Sequence, residues 1–230
     1  NNNERCIEDI TNFYTNIAKE KKPVVSIGGD HSITGGILQG LGSNNLEMTK
    51  GKKISFLHID AHTDTFSQLD HFMGAKKSAA HWGAYLVEQG IIDPKTSMQI
   101  GMRGNPRTLD WLQPSYDLGY NVITMDDFKK RGIDEVIKET LEKIGNNPVY
   151  ITFDLDSLDA SVAPAVSNIE PSFTGFTIEE AKKLIQSVKN KNVIGGDVVC
   201  LMPTKDQKNN ITSMVAASIM FEIISVIAYK

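Results

Sequence analysis

Val149-Tyr150-Ile151-Thr152-Phe153-Asp154-Leu155-Asp156 reads as an apolar strand that runs straight into two carboxylates. A near-continuous apolar run, without polar alternation, indicates a strand buried on both faces, as in a parallel sheet covered by helices. Two earlier stretches repeat the pattern. Val24-Val25-Ser26-Ile27 leads into Gly28-Gly29-Asp30-His31-Ser32, and Phe56-Leu57-His58-Ile59 leads into Asp60-Ala61-His62-Thr63-Asp64. Working outward, strands are expected at 23–28, 54–60, 97–102, 121–125, 148–154 and 193–201. Helices are expected between them, near 4–21, 32–41, 78–90, 106–113, 126–145, 177–189 and 209–229. Asp126 and Thr177 are placed as N-caps, Thr177 with Glu180 three residues on as a capping box. The expected fold is α/β, a three-layer α/β/α arrangement around a mainly parallel sheet.

In open parallel sheets, ligands sit just beyond the carboxyl ends of the strands. His31, Asp60, His62, Asp64, Asp154 and Asp156 all lie at or just past such an end. If the backbone stays extended, the period of 2 puts Asp60, His62 and Asp64 on one face. Four carboxylates crowded together repel one another unless a cation joins them, and four negative charges match two divalent ions. The set is too large for one tetrahedral zinc and suits two metals sharing a carboxylate and a bridging water. With no thiolate among the ligands, Mn²⁺ is the first choice of cofactor, and Ni²⁺, Zn²⁺, Fe²⁺ or Co²⁺ are tolerated.

The whole chain agrees with a globular metal-dependent protein. Its 230 residues, 40% hydrophobic and 23% charged, suit one domain with a sizeable core. A net charge of -4 supplies no basic excess for nucleic acid. The lysine clusters at 19–22 and 50–53 read as solvated faces. Cys6 and Cys200 are the only cysteines, with no metal or disulfide spacing, which fits a reducing, cytoplasmic setting. No apolar signal core stands in Asn1 to Arg5. The apolar run Ile211 to Ala228, carrying Glu222 and three serines, reads as a buried or subunit-contacting helix, and no membrane partner is expected. Gly28-Gly29 is not a phosphate loop, because Asp30-His31-Ser32 stands where Gly-Lys-Ser/Thr is needed. Asp154-Leu155-Asp156 could also serve an aspartyl-phosphate phosphatase with one Mg²⁺, a reading that leaves Asp60, His62 and Asp64 without a task. A metal-stabilised but inactive regulatory subunit is the non-catalytic alternative.

Taken together, GGDHS at 28–32, DAHTDT at 60–65 and FDLDSLDASVAP at 153–164 resemble the three signatures of the ureohydrolase family: arginases, agmatinases and their relatives. The resemblance extends over residues 23 to 206, including Gln99 to Gly104 and Gly196 to Val199. It implies an arginase-like fold and a binuclear centre. His31, Asp60, Asp64 and Asp154 or Asp156 would hold one or both ions and His62 the second. It also implies hydrolysis of a C–N bond of a small guanidino substrate to release urea, with Asp64 passing a proton to the leaving nitrogen. A homo-oligomer, trimer or hexamer, goes with the family. So does an N-terminal segment that this single ureohydrolase domain, 1–230, is expected to lack.

Three stretches depart from the family pattern. Cys200 stands where agmatinases and arginases carry the Glu that pairs with the guanidinium. Val166 to Phe173 lacks the expected glycines, and Met73 to Trp82 replaces a His-Gly motif. His81 is the candidate proton shuttle, with His71 in reserve. If Ser78 caps the following helix, His81 falls in its first turn, where the dipole disfavours imidazolium. Cys200, Asn168 and Trp82 are the candidate substrate contacts, Trp82 by stacking on a planar cation. The stretches 73–82, 98–112 and 200–206 look like a subgroup related to agmatinases for which free guanidine is a suggested substrate and nickel a suggested metal.

Overall fold

The computed structural model describes residues 2–42, 48–67, 75–104, 108–170 and 174–229. Six strands make one sheet: β1 (Val24–Ile27), β2 (Ser55–Ile59), β3 (Met98–Met102), β4 (Asn121–Thr124), β5 (Pro148–Asp154) and β6 (Asn192–Val199). Their order is β1-β6-β5-β2-β3-β4, and every pairing is parallel. The helices are α1 (Asn2–Ala18), α2 (Ser32–Gly42), α3 (Trp82–Glu88), α4 (Gln113–Leu118), α5 (Met125–Arg131), α6 (Ile133–Ile144), α7 (Ile178–Ser187) and α8 (Ile211–Ala228).

Side-chain parity along the strands builds the three layers. Leu57, Ile59, Val149, Ile151 and Phe153 enter one core with residues of α5 to α8. Phe56 and Tyr150, one position out of step, enter a second core with α1, α2 and α3. Each such buried side chain contributes about 1.5–3 kcal/mol. His58, Asp60, Thr152 and Asp154 share the parity of Phe56 and Tyr150, so they face the α1–α3 layer.

The sheet order fixes where a site can form. From β2 the chain moves outward to β3 and β4, while from β5 it moves the other way to β6. β2 and β5 are neighbours whose connections diverge, and the crevice beyond their carboxyl ends is the binding position of open α/β sheets. The register pairs Ile59 with Phe153 and Asp154 with Val199. Asp60, Asp154 and the residues following Val199 therefore line one edge.

Several helix boundaries differ from expectation. The stretch expected as one helix over 126–145 is two, because Gly132, at φ 84°, breaks it. Thr124, not Asp126, caps α5, its hydroxyl accepting from the Asp127 N–H at 3.1 Å. The helix expected at 106–113 begins instead at Gln113, where Pro114 sits in the first turn and needs no N–H partner; residues 105–107 lie outside those described. Thr177 forms its capping box with Glu180. α8 is long and apolar enough to cross a membrane by length and composition alone. Here its Thr212, Val215, Ala216, Ile219, Ile223 and Val226 are buried against β6 and α7, while Met214, Phe221 and Ile224 are exposed.

Candidate metal centre

Each strand end delivers its side chains to the crevice by a local device. Asp154 is the last residue of β5, and its Oδ1 accepts the Asp156 N–H at 2.9 Å, which turns the chain into a short 3-10 segment and brings Asp156 back beside it. Asp60 follows β2, and its Oδ1 accepts the His62 N–H at 2.7 Å. Asp64 has a left-handed backbone, φ 52°, which aspartate tolerates better than most residues. Trp82 Nε1–H donates to its Oδ2 at 2.9 Å. His31 stands just before α2 with 1% of its surface exposed.

All six residues read from the sequence come together. His31 Nδ1 lies 2.9 Å from Asp60 Oδ2, 3.0 Å from Asp64 Oδ2 and 3.2 Å from Asp154 Oδ2. His62 Nδ1 lies 3.4 Å from Asp60 Oδ1 and 3.3 Å from Asp156 Oδ2. Asp60 thus turns one oxygen to each imidazole, as a carboxylate shared between two ions must. Buried polar atoms nearly always find a partner; yet His31 Nδ1 and Asp156 Oδ2 are buried without a hydrogen bond. Inward-facing lone pairs left over in this way fit divalent cations. Among the described residues, His31, Asp60 and Asp64 fall in one possible metal group and Asp60, His62 and Asp156 in another, with no thiolate in either.

The charges are balanced by protons in the absence of metal. Burial disfavours the His31 imidazolium, but Asp154, Asp60 and Asp64 outweigh it and hold its pKa well above the usual histidine value. Burial likewise opposes charge on His62, and Asp156 and Asp60 overcome it. Burial would raise Asp60, yet the imidazoles of His31, His58 and His62 beside it keep it well below the carboxylate range. Asp156 goes the other way, pushed well up by burial and then by the charges of Asp154 and Asp60. A cation bound there would replace those protons.

The sequence profile of the arginase family matches residues 1–225. The chain belongs to the arginase family. The mitochondrial guanidino acid hydrolase of Homo sapiens is 33% identical over 200 residues, covering 87% of this chain and 53% of its own. Agmatinase of Escherichia coli O7:K1 is 34% identical over 215 residues, covering 91% and 61%. This arginase-family chain therefore spans little more than half the length of those curated relatives. Among solved structures, proclavaminate amidino hydrolase from Streptomyces clavuligerus superimposes with a TM-score of 0.85 at 28% identity, covering 97% of this chain and 70% of that one.

Two residues that the sequence reading passed over complete the surroundings of the arginase-family cluster. His58 belongs by distance to the metal group around His31, but its hydrogen bonds give it a different task. The Gln99 amide donates to its Nδ1 at 3.2 Å, so Nε2 carries the proton and donates to Asp60 Oδ2 at 2.7 Å. It orients a ligand and has no lone pair for an ion. Glu170 Oε1 accepts from His62 Nε2–H at 2.8 Å, leaving Nδ1 for a metal, the carboxylate–histidine arrangement of many metal sites. Arg103 donates to the carbonyls of Asp156, Leu158 and Glu170 at 2.7, 2.9 and 3.1 Å, tying the two segments together.

The other candidates fall into different places. Trp82 is fully buried and tilted against His31 with ring centroids 4.9 Å apart. Its face is covered, so it supports Asp64 and offers no stacking surface to a substrate. His81 is not in the first turn of α3 but at its N-cap position, because the helix starts only at Trp82; the Ser78 hydroxyl lies 2.8 Å from its Nδ1 instead of capping the helix. His71 lies outside the described residues. Cys200 is buried at φ 69°. Burial and then the charges of Asp154 and Asp156 push its thiol well up, so it enters the edge as a neutral group. Asn168 is exposed, and from its segment it is Glu170 that reaches the cluster.

Proposed function

We propose that the chain is a binuclear-metal hydrolase that cleaves a C–N bond of a guanidino compound and releases urea. The observation that carries this is the pair of inward-facing imidazole Nδ1 atoms around the shared Asp60 carboxylate. His31, Asp60, Asp64 and Asp154 would hold one ion, and Asp60, His62 and Asp156 the other. Two divalent ions, when bound, lower the pKa of water from about 15.7 towards about 7, which gives the strong nucleophile a delocalised guanidinium demands. Asp64, held by the Trp82 N–H, would take the proton that the attacking water loses and hand it to the leaving nitrogen; His81, buried with its Nδ1 2.8 Å from the Ser78 hydroxyl, is the proposed shuttle. His58 and Glu170 keep their partners from turning away. An aspartyl-phosphate phosphatase would leave Asp60, His62 and Asp64 idle, although they converge on Asp154 and Asp156.

A neutral thiol beside Asp154 offers no charge to a guanidinium, a departure from the agmatinase and arginase pattern. Free guanidine is the proposed substrate on the likeness of the stretches 73–82, 98–112 and 200–206 to the subgroup for which it is suggested; Cys200 and Asn168 are the proposed contacts. Manganese is the proposed metal and nickel the second, from the hard and borderline donors present. A homo-oligomer, trimer or hexamer, is proposed in keeping with the apolar residues Met214, Phe221 and Ile224 exposed on α8. Incubating Mn²⁺- or Ni²⁺-loaded protein with guanidine, agmatine, guanidinobutyrate and arginine, and following urea, tests the proposal. Urea from guanidine is expected. Turnover of agmatine alone removes the substrate assignment, and no urea from any of them removes the activity.

A further inference from the structure

Beneath the cluster lies a second polar group that the mechanism does not use. Thr152 pairs in register with Asp197 across β5 and β6, and both are completely buried. Three hydroxyls converge on the Asp197 carboxylate: Thr152 Oγ1 donates to Oδ1 at 2.7 Å, while Tyr150 Oη and Thr34 Oγ1 donate to Oδ2 at 2.8 and 2.9 Å. Each hydroxyl has one proton to give. Thr152 Oγ1 has two other neighbours, the Thr34 hydroxyl at 3.4 Å and His31 Nε2 at 2.8 Å; with its own proton and that of Thr34 both given to Asp197, it can only accept from His31. The proton of His31 is thereby placed on Nε2, and Nδ1, facing Asp60, Asp64 and Asp154, keeps the lone pair a metal needs.

We propose that Asp197 is a positioning residue which, through the Thr152 hydroxyl, fixes the tautomer and ring orientation of His31 for metal binding. The inference rests on the metal-binding reading of the cluster and adds a relay three groups deep: carboxylate, hydroxyl, imidazole. Sheet register sets the step from Asp197 to Thr152, and Thr152 also pairs with His58 on the other side, so one row of side chains below the ligands sets the direction of the donors above. Four side chains from β5, β6 and α2 meet at this carboxylate and its donors, all fully buried, where a misdirected hydrogen bond leaves a group unpaired.

The test is metal affinity, not turnover. Thr152→Val keeps the shape and removes the relay; Thr152→Ser keeps the hydroxyl. Thr34→Val removes a hydroxyl donor to Asp197 while leaving the hydrogen bond between Thr152 and the His31 ring in place. Titration of the metal-free proteins with Mn²⁺, read by the electron paramagnetic resonance of free ion, is expected to show the tighter site weakened about 10–100-fold in Thr152→Val. Thr152→Ser and Thr34→Val are expected to stay within about threefold of the parent. An unchanged Thr152→Val, or a Thr34→Val weakened to the same degree, overturns the proposal. Should Thr152→Val fail to fold, ¹⁵N spectra of histidine-labelled parent protein loaded with Zn²⁺ decide. His31 with its proton on Nε2 and metal on Nδ1 supports the relay; the opposite tautomer ends it. A parent protein that binds two ions but releases no urea defeats the hydrolase reading and leaves this one standing.

Discussion

A methyl group at position 104 should damage one metal site and spare the other. A Cβ on Gly104 would lie 2.7 Å from His62 Nε2, closer still to its Cδ2, and 2.9 Å from the Ala61 carbonyl oxygen, against an ordinary contact of 3.4 Å or more. The backbone cannot easily yield, because Arg103 and Gly104 both donate to the Ala61 carbonyl, at 2.9 and 2.7 Å. The ring must give way by more than about 0.7 Å, and the atom pressed, Nε2, is the one held by Glu170 at 2.8 Å. Metal–ligand distances tolerate only about 0.2 Å, so Gly104→Ala is expected to weaken the site of Asp60, His62 and Asp156 by at least about tenfold, about 1.4 kcal/mol. The atoms nearest this methyl belong to His62 and Ala61, not to His31, Asp64 or Asp154. Isothermal titration with Mn²⁺ should therefore resolve one ion bound as tightly as in the parent and one bound weakly, with the metal-free melting temperature little changed. Two ions bound with parental affinities would refute the reasoning.

Three further expectations can be checked with ordinary biophysics. His31 and His62 carry folded pKa values raised above the usual 6.5. Their contribution to metal-free stability is therefore full below pH 6.5 and is lost as pH rises through the folded values; Asp156, also raised, acts in the same direction. Melting of the metal-free protein should fall on the alkaline side of pH 6.5 and that of the loaded protein should not; parallel curves would contradict this. Cys200→Ala should leave both ions bound within about threefold, because the thiol is held protonated, and loss of an ion on elemental analysis would make the sulfur a ligand. Asp206 accepts from the N–H groups of Gln207, Thr212 and Ser213 at 2.8–3.1 Å and so closes the first turn of α8. Asp206→Ala should lower the melting temperature by about 2–4 °C, with an unchanged value counting against the cap.

The parts of the fold that were readable in the sequence were those with a strong period. All six strands stand where apolar runs placed them, within one or two residues, because a strand buried on both faces leaves almost no polar residue inside it. The six cluster residues were readable for the same reason: each marks the point at which such a run stops. Glu170 was not, since its partner His62 is 108 residues away and no local pattern points from one to the other. His58 was hidden in an apolar strand, where its pairing with Asp60 depends on Gln99 from a neighbouring strand. Trp82 was misread as a stacking surface because burial is a tertiary property. The break at Gly132 was visible as a glycine, but its φ of 84° is what ends the helix. Asp197 was noted only as part of a motif; its convergence with Tyr150, Thr152 and Thr34 required the register of β5 against β6.

Anomalous diffraction from crystals grown with Mn²⁺, recorded at the manganese edge, tests the centre most directly. Two peaks about 3.5–4 Å apart are expected, one bounded by His31, Asp60, Asp64 and Asp154 and the other by Asp60, His62 and Asp156, with the Asp60 carboxylate between them. A single peak, or peaks that leave His31 Nδ1 and Asp156 Oδ2 without an ion, would contradict the account.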